Sequence, residues 1–167
     1  MIIEEKNLSS TEKILFFPTT APIIGTFSIK DTSSFDLVKN LKQINLAKDF
    51  ILTKDFLYIE AQSQELLEDL YLICLGELDD YISSPSPQVA PIENMTHKIT
   101  KILKLIIAPF LNKDGGDIEF SSYENNTVYV KFLGKCNGCP YAARTLKERV
   151  EKNLVSYLPE VKKAELI

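Results

Sequence analysis

Between Ser83 and Pro91 the chain reads Ser-Ser-Pro-Ser-Pro-Gln-Val-Ala-Pro. The three prolines here carry no backbone donor and hold the chain extended, so neither a helix nor an interior strand is expected to cross the stretch. The 167 residues are therefore expected to fold as two small domains, 1–83 and 93–167, joined by a Pro/Ser linker over 84–92. At about 3 Å per residue such a spacer holds its ends up to ~25 Å apart. Charge changes sign at the same place. Residues 1–87 hold seven Lys against 14 Asp or Glu, a formal −7, and residues 88–167 carry +3, within a total of −4. An acidic half of this kind is expected to dock on a basic surface, its own or a partner's.

With 45% hydrophobic and 25% charged residues, each half has material for a core, which excludes disorder, collagen and a short disulfide scaffold. The longest apolar runs, Leu70–Leu75 and the Pro-interrupted Leu105–Leu111, fall far short of the roughly 18 residues of a membrane helix. Met1–Ser10 carries Glu4, Glu5 and one Lys, unlike the basic-then-apolar opening of a secretory signal or an Arg-rich transit peptide. The expectation is a cytoplasmic protein, bacterial or in an equivalent reducing compartment. Lys98, Lys101 and Lys104 recur every third residue on the polar side of an apolar helix, and no dense basic cluster interleaved with aromatics accompanies them. They read as a solvated face, and no nucleic acid is expected.

Periodicity places the elements. In the first half, Ile14–Phe17 and Ile23–Ile29 read as strands, and Ser34–Ile44 as a helix with Ser33 or Ser34 as cap. A hairpin is expected over Lys54-Asp55, followed by a helix over Ser63–Ile82 with Leu66, Leu67, Leu70, Ile73 and Cys74 on one stripe. In the second half, Ile99, Ile102, Leu103, Ile106 and Phe110 follow helical spacing from a cap at or near Thr96, with Pro109 and Gly115-Gly116 marking the exit. Ile118 and Phe120, then Val128, Val130 and Phe132, alternate with polar residues about Asn125-Asn126, the pattern of a hairpin. Ala142, Leu146, Val150, Leu154 and Leu158 repeat every fourth residue, and Val161–Leu166 reads as an edge strand. The fold class is α+β, as two small α+β domains, the second helix-hairpin-helix-strand.

Three cysteines occur, and the close pair Cys136 and Cys139 lies in Leu133-Gly134-Lys135-Cys136-Asn137-Gly138-Cys139-Pro140, between a strand and a helix. Pro140 suits the first helical position. Cys139 is thereby expected at the helix cap, where free N–H groups and the positive dipole end favour thiolate; Lys135 adds charge. Two intervening residues let both sulfurs hold one metal centre. A redox dithiol and a zinc site stay open as alternatives, although the thioredoxin-like version calls for a parallel βαβ unit that the hairpin does not supply. Zinc and iron–sulfur clusters usually take four protein ligands. His97 reads as a solvent-facing side chain and Cys74 as a core residue, so a single chain falls two ligands short. A symmetric pair of chains supplies four thiolates at a twofold axis, and the chain is expected to dimerise when loaded.

Ile107-Ala108-Pro109-Phe110-Leu111-Asn112-Lys113-Asp114-Gly115-Gly116-Asp117-Ile118-Glu119, the Cys136–Cys139 stretch, Thr145-Leu146-Lys147 and Leu158-Pro159-Glu160-Val161 together resemble the C-terminal domain of the NifU and Nfu proteins, over about residues 93–167. The first half resembles the N-terminal domain that accompanies this module in Nfu proteins, with Ser9-Ser10-Thr11-Glu12-Lys13 in place of the family's Thr-Pro-Asn-Pro-Asn segment. The resemblance implies an iron–sulfur scaffold or carrier that is not an enzyme. On this reading Cys136 and Cys139 from each of two subunits hold one [4Fe–4S] cluster for delivery to apo-proteins, alongside the cluster assembly machinery. Tyr141-Ala142-Ala143 stands where relatives carry small hydroxyl residues, which is expected to alter cluster lability or potential. Asp114, Gly115 and Gly116 read as a helix exit and tight turn.

Overall fold

The structure is a computed structural model and describes residues 3–18, 22–135 and 140–167. The chain divides into two compact units, Met1–Glu93 and Asn94–Ile167, each α+β.

The first unit is built on an antiparallel sheet in the order β1 (Glu4–Asn7), β2 (Glu12–Phe16), β6 (Phe56–Ala61), β5 (Ala47–Leu52), β4 (Phe27–Ser28). Leu15, Phe50, Leu52, Leu57 and Ile59 pack in one core with Leu37, Val38 and Leu41 of α1 (Asp36–Gln43) and Leu67, Leu70, Cys74 and Leu78 of α2 (Gln64–Ser83). The hairpin over Lys54-Asp55 closes around Thr53, whose hydroxyl accepts from the Asp55 and Phe56 amides at 3.3 and 3.1 Å. The α2 helix starts at the expected cap, the Ser63 hydroxyl accepting from Leu66 N–H at 3.3 Å. Its buried line is Leu67, Leu70, Cys74, Leu78 and Tyr81, while Leu66 and Ile73 are half-buried at its margins.

Several expectations need correction in this unit. The stretch Ile23–Ile29 is not one strand: Gly25, at φ +83°, breaks it into β3 (Ile23–Ile24) and β4, which belong to different sheets. Neither Ser33 nor Ser34 caps α1; the N-cap is Phe35, whose amide donates to the Ser33 hydroxyl at 3.1 Å. The polar strand β1 carries no hydrophobic alternation and all four of its residues are exposed, as suits a sheet edge. Within the Pro-rich stretch, β7 (Gln88–Val89) pairs in parallel with β3, and Tyr81 donates to the Ser86 carbonyl at 2.8 Å. Residues 86–90 are thus laid along the first unit instead of standing free of it, because the backbone groups between the prolines still find partners.

In the second unit, α3 (Met95–Ile102) leads through a π-helical turn at Leu103–Ile107 into α4 (Ala108–Asn112). Pro109 does not end the helix. The Ala108 amide reaches back to the Leu103 carbonyl in the wider register, and this absorbs the missing donor and the ring bulk of the proline that follows. The hairpin β8 (Gly116–Glu124) and β9 (Thr127–Gly134) turns on Asn125 and Asn126, both at positive φ. A bulge between Phe120 and Ser122 adds one residue to β8. The last helix, α5 (Pro140–Tyr157), returns to β10 (Lys163–Leu166), which runs parallel to β9 at the sheet edge in the order β10-β9-β8. Val128, Val130, Ile99, Ile102, Val150, Leu154, Leu158 and Ala164 are buried as the core of this unit. Among the described residues no helix is long and apolar enough to cross a membrane.

Candidate functional site

Cys136 and Cys139 lie outside the described residues, so the site is defined by the two stems that enter and leave their loop. The first stem is the end of β9. Alternation buries Val128, Val130 and Phe132 and carries the strand to Gly134, opposite Gly116 on β8. Gly134 sits at φ +64°, and a Cβ there would lie 2.4 Å from the Gly115 carbonyl oxygen. Only glycine lets the two backbones approach this closely. Lys135, next to the loop, donates its amide to the same carbonyl at 3.3 Å and lays its aliphatic chain over Gly115, itself at φ +78°.

The turn at Asp114–Asp117 has two tasks. It ends the preceding helix, since the Asp114 and Gly115 amides donate to the Leu111 and Asn112 carbonyls at 3.1 Å each, in keeping with the helix exit expected from Asp114-Gly115-Gly116. It is also the platform on which the first stem rests. Sequence reasoning missed this second task; the signal was Gly134, a glycine at a strand end with no turn of its own to form.

The second stem is α5, which opens at Pro140 and points its positive dipole end toward the loop. Buried Val150 and Leu154 anchor it, the Arg149 guanidinium lies 3.6 Å from the centre of the Phe110 ring, and Glu151 accepts from the Ala164 amide at 3.0 Å. Lys147 and Lys163 hold the Glu165 carboxyl below the usual carboxylate range, the Lys163 bond contributing most, which ties the helix to β10. The strand stem is therefore fixed on the Gly115 turn, and α5 is fixed to the body of the unit from Lys147 onward.

The remaining metal-ligating side chains behave differently. Cys74 is fully buried in α2; burial first, then the Glu77 carboxylate, pushes its thiol up to about 12, so it stays protonated at neutral pH. His97 is half-buried on α3 where a solvent-facing side chain was expected. Among the described residues no group of three or more His, Cys, Asp or Glu is placed to hold a metal ion. The lysine series also needs correcting: Lys104 is exposed and Lys101 half-buried, but Lys98 is only 1% exposed. At three-residue spacing a row drifts around the helix by about 60° per step, enough to carry its first member into the core.

Residues 99–165 match the NifU-like domain family. A protein of Drosophila willistoni named NFU1 iron-sulfur cluster scaffold homolog, mitochondrial, is 42% identical over 185 residues, an alignment covering 100% of this chain and 64% of the relative. The protein of that name from Drosophila sechellia is 27% identical over 187 residues, covering 100% of this chain and 65% of the relative. The one from Drosophila persimilis is 44% identical over 69 residues, 41% of this chain and 24% of its own length. The chain thus spans less than two thirds of the length of these relatives.

Proposed function

We propose, from the match of residues 99–165 to the NifU-like domain family, that the chain is a member of the NifU and Nfu family and an iron–sulfur cluster scaffold or carrier. The cargo is a [4Fe–4S] cluster bound between two copies of the chain, with Cys136 and Cys139 of each subunit as its thiolate ligands. The observation that carries this reading is the family match over residues 99–165, which spans the C-x-x-C pair, with the strand ahead of the pair held on Gly115 and a helix opening at Pro140 directly after it.

One chain brings two thiols in that loop, half the ligand set of such a cluster. Sharing suits a carrier. The thiols of an apo-protein replace one subunit's pair while the other pair still holds the cargo, so transfer proceeds by ligand exchange, without enzymatic turnover. Apo iron–sulfur proteins and the assembly machinery are its proposed partners. The thiol form of the pair calls for a reducing compartment, which we propose is the cytoplasm.

Anaerobic purification, an absorption spectrum, iron, sulfide and zinc analysis and light-scattering mass test the proposal. The expected result is a brown dimer with one [4Fe–4S] cluster per pair of chains and no zinc. Cys136→Ser and Cys139→Ser each lose the colour and the cluster-dependent dimer, while Cys74→Ala keeps both. A fully metallated monomer, or colour that survives loss of either loop cysteine, refutes it.

A further inference from the structure

The outward face of α2 makes three choices that the first unit itself does not need. Gly76 lies in mid-helix, where glycine costs about 1 kcal/mol relative to alanine. A Cβ at Gly76 would meet nothing within 4 Å, so no close packing inside the unit requires the glycine. One turn earlier Leu72 is 65% exposed, the most exposed large apolar side chain of the helix. At the C-terminal end, Asp79 and Asp80 stand against the negative end of the helix dipole, and the last turn holds no basic residue.

These positions share one face. At 100° per residue Glu65, Glu68, Asp69, Leu72, Gly76, Asp79 and Asp80 fall on a single outward arc, opposite buried Leu70, Cys74 and Tyr81. The helix carries six carboxylates and no basic residue, within a unit of seven Lys against 15 Asp or Glu. Where the arc passes Asp80 it borders a cleft of about 410 Å³ in which Glu77 and Asp80 of α2 face Asp36 and Asn40 of α1.

We propose that this face is a docking surface for a basic amphipathic helix of another protein. Leu72 supplies the apolar contact, Gly76 leaves a notch that lets the partner's backbone approach, and the carboxylates of Glu65, Asp69, Asp79 and Asp80 pair with its lysines or arginines, Glu68 being already paired with Lys13 at 3.8 Å. Charge complementarity selects this occupant: a second copy's α2 would set six further carboxylates against the same face. The surface lies wholly in the first unit, and the proposal stands or falls without the cysteine pair.

The test uses the full chain, 15N-labelled and free of metal, titrated with a synthetic helix bearing leucine on one side and lysine on the other. Amide shifts centred on Leu72, Gly76 and Asp79 are expected. Leu72→Gln, which leaves the charge unchanged, weakens binding at least tenfold. Gly76→Gln raises the melting temperature, because the space is open, yet also weakens binding about tenfold by filling the notch. Replacing the probe's leucines with serine has the same effect as Leu72→Gln. Shifts centred elsewhere in the chain, binding unaffected by Leu72→Gln, a serine probe as tight as the leucine probe, concentration-dependent shifts at Leu72 without any probe, or no binding at low salt would each overturn the proposal.

Discussion

Replacing Gly134 with alanine tests the idea that the cysteine loop is held by a backbone contact. At φ +64° a non-glycine residue costs about 1–2 kcal/mol. The new Cβ would land 2.4 Å from the Gly115 carbonyl oxygen, well inside the 3.0 Å below which something must move, and that atom is backbone. Either β9 or the Asp114–Asp117 turn must shift by several tenths of an ångström, which strains the 3.3 Å bond from the Lys135 amide. Conformational strain, overpacking and the weakened bond together give a cost to the second unit of about 3–5 kcal/mol. Gly115→Ala provides the comparison. Its φ of +78° brings similar strain, but its Cβ meets only the flexible Lys135 side chain, at 3.2 Å, so about 1–2 kcal/mol is expected. Gly115→Asn should cost less still, since asparagine tolerates left-handed backbone. The chain folds as two units, so urea titration should be followed by hydrogen exchange at the β8 and β9 amides, which isolates the second. A Gly134→Ala protein within about 1 kcal/mol of the parent, or more stable than Gly115→Ala, refutes the reasoning.

Two further outcomes follow from burial. Lys98→Glu should destabilise the second unit by about 2–4 kcal/mol in the same titration, against less than ~0.5 kcal/mol for Lys104→Glu, because reversing a charge in the core leaves groups that cannot be re-paired or hydrated. At pH 8, an alkylating reagent should label the two loop thiols of the native, metal-free chain and reach Cys74 only in denaturant. Since the Cys74 thiol is raised from its ordinary 9.0 to about 12, the folded state holds that proton over a range where the unfolded state loses it. Its contribution is intact below pH 9 and is lost as pH rises toward 12, by at most about 1.4 kcal/mol per pH unit; Cys74→Ala should flatten this fall.

What was legible in the sequence was whatever depends on short-range pattern. The α2 helix and its Ser63 cap, the two hairpins at Lys54-Asp55 and Asn125-Asn126, and the final edge strand all follow from periodicity and local turn chemistry. The misreadings share a different cause. Pro109 by itself predicts a helix exit, yet a π turn ahead of it absorbs its cost while buried Leu105, Ile107 and Leu111 keep the helix on the core. The polar strand β1 has no apolar period to reveal it and is held by ladder bonds to β2 and by the ion pair of Glu5 with Lys13. At the site, residue types and spacing singled out Cys136 and Cys139, which lie outside the described residues. The part that rests on distant contacts, Gly134 against Gly115, left a lone glycine at the strand end as its signal, with nothing local to say which backbone it meets.

By itself the amino-acid order determined the division into two α+β units, the placing of a cysteine pair between a strand and a helix, and the turns that reverse the chain. Each of these depends on a few neighbouring residues, whose backbone preferences act before any core exists. Only the tertiary structure decided that Lys98 goes inside, that residues 88–89 pair with β3, and that a glycine turn nineteen positions upstream in the chain supports the loop stem. Those outcomes turn on which surfaces meet across long sequence separations, and packing, unlike propensity, has a value only once both partners are in place.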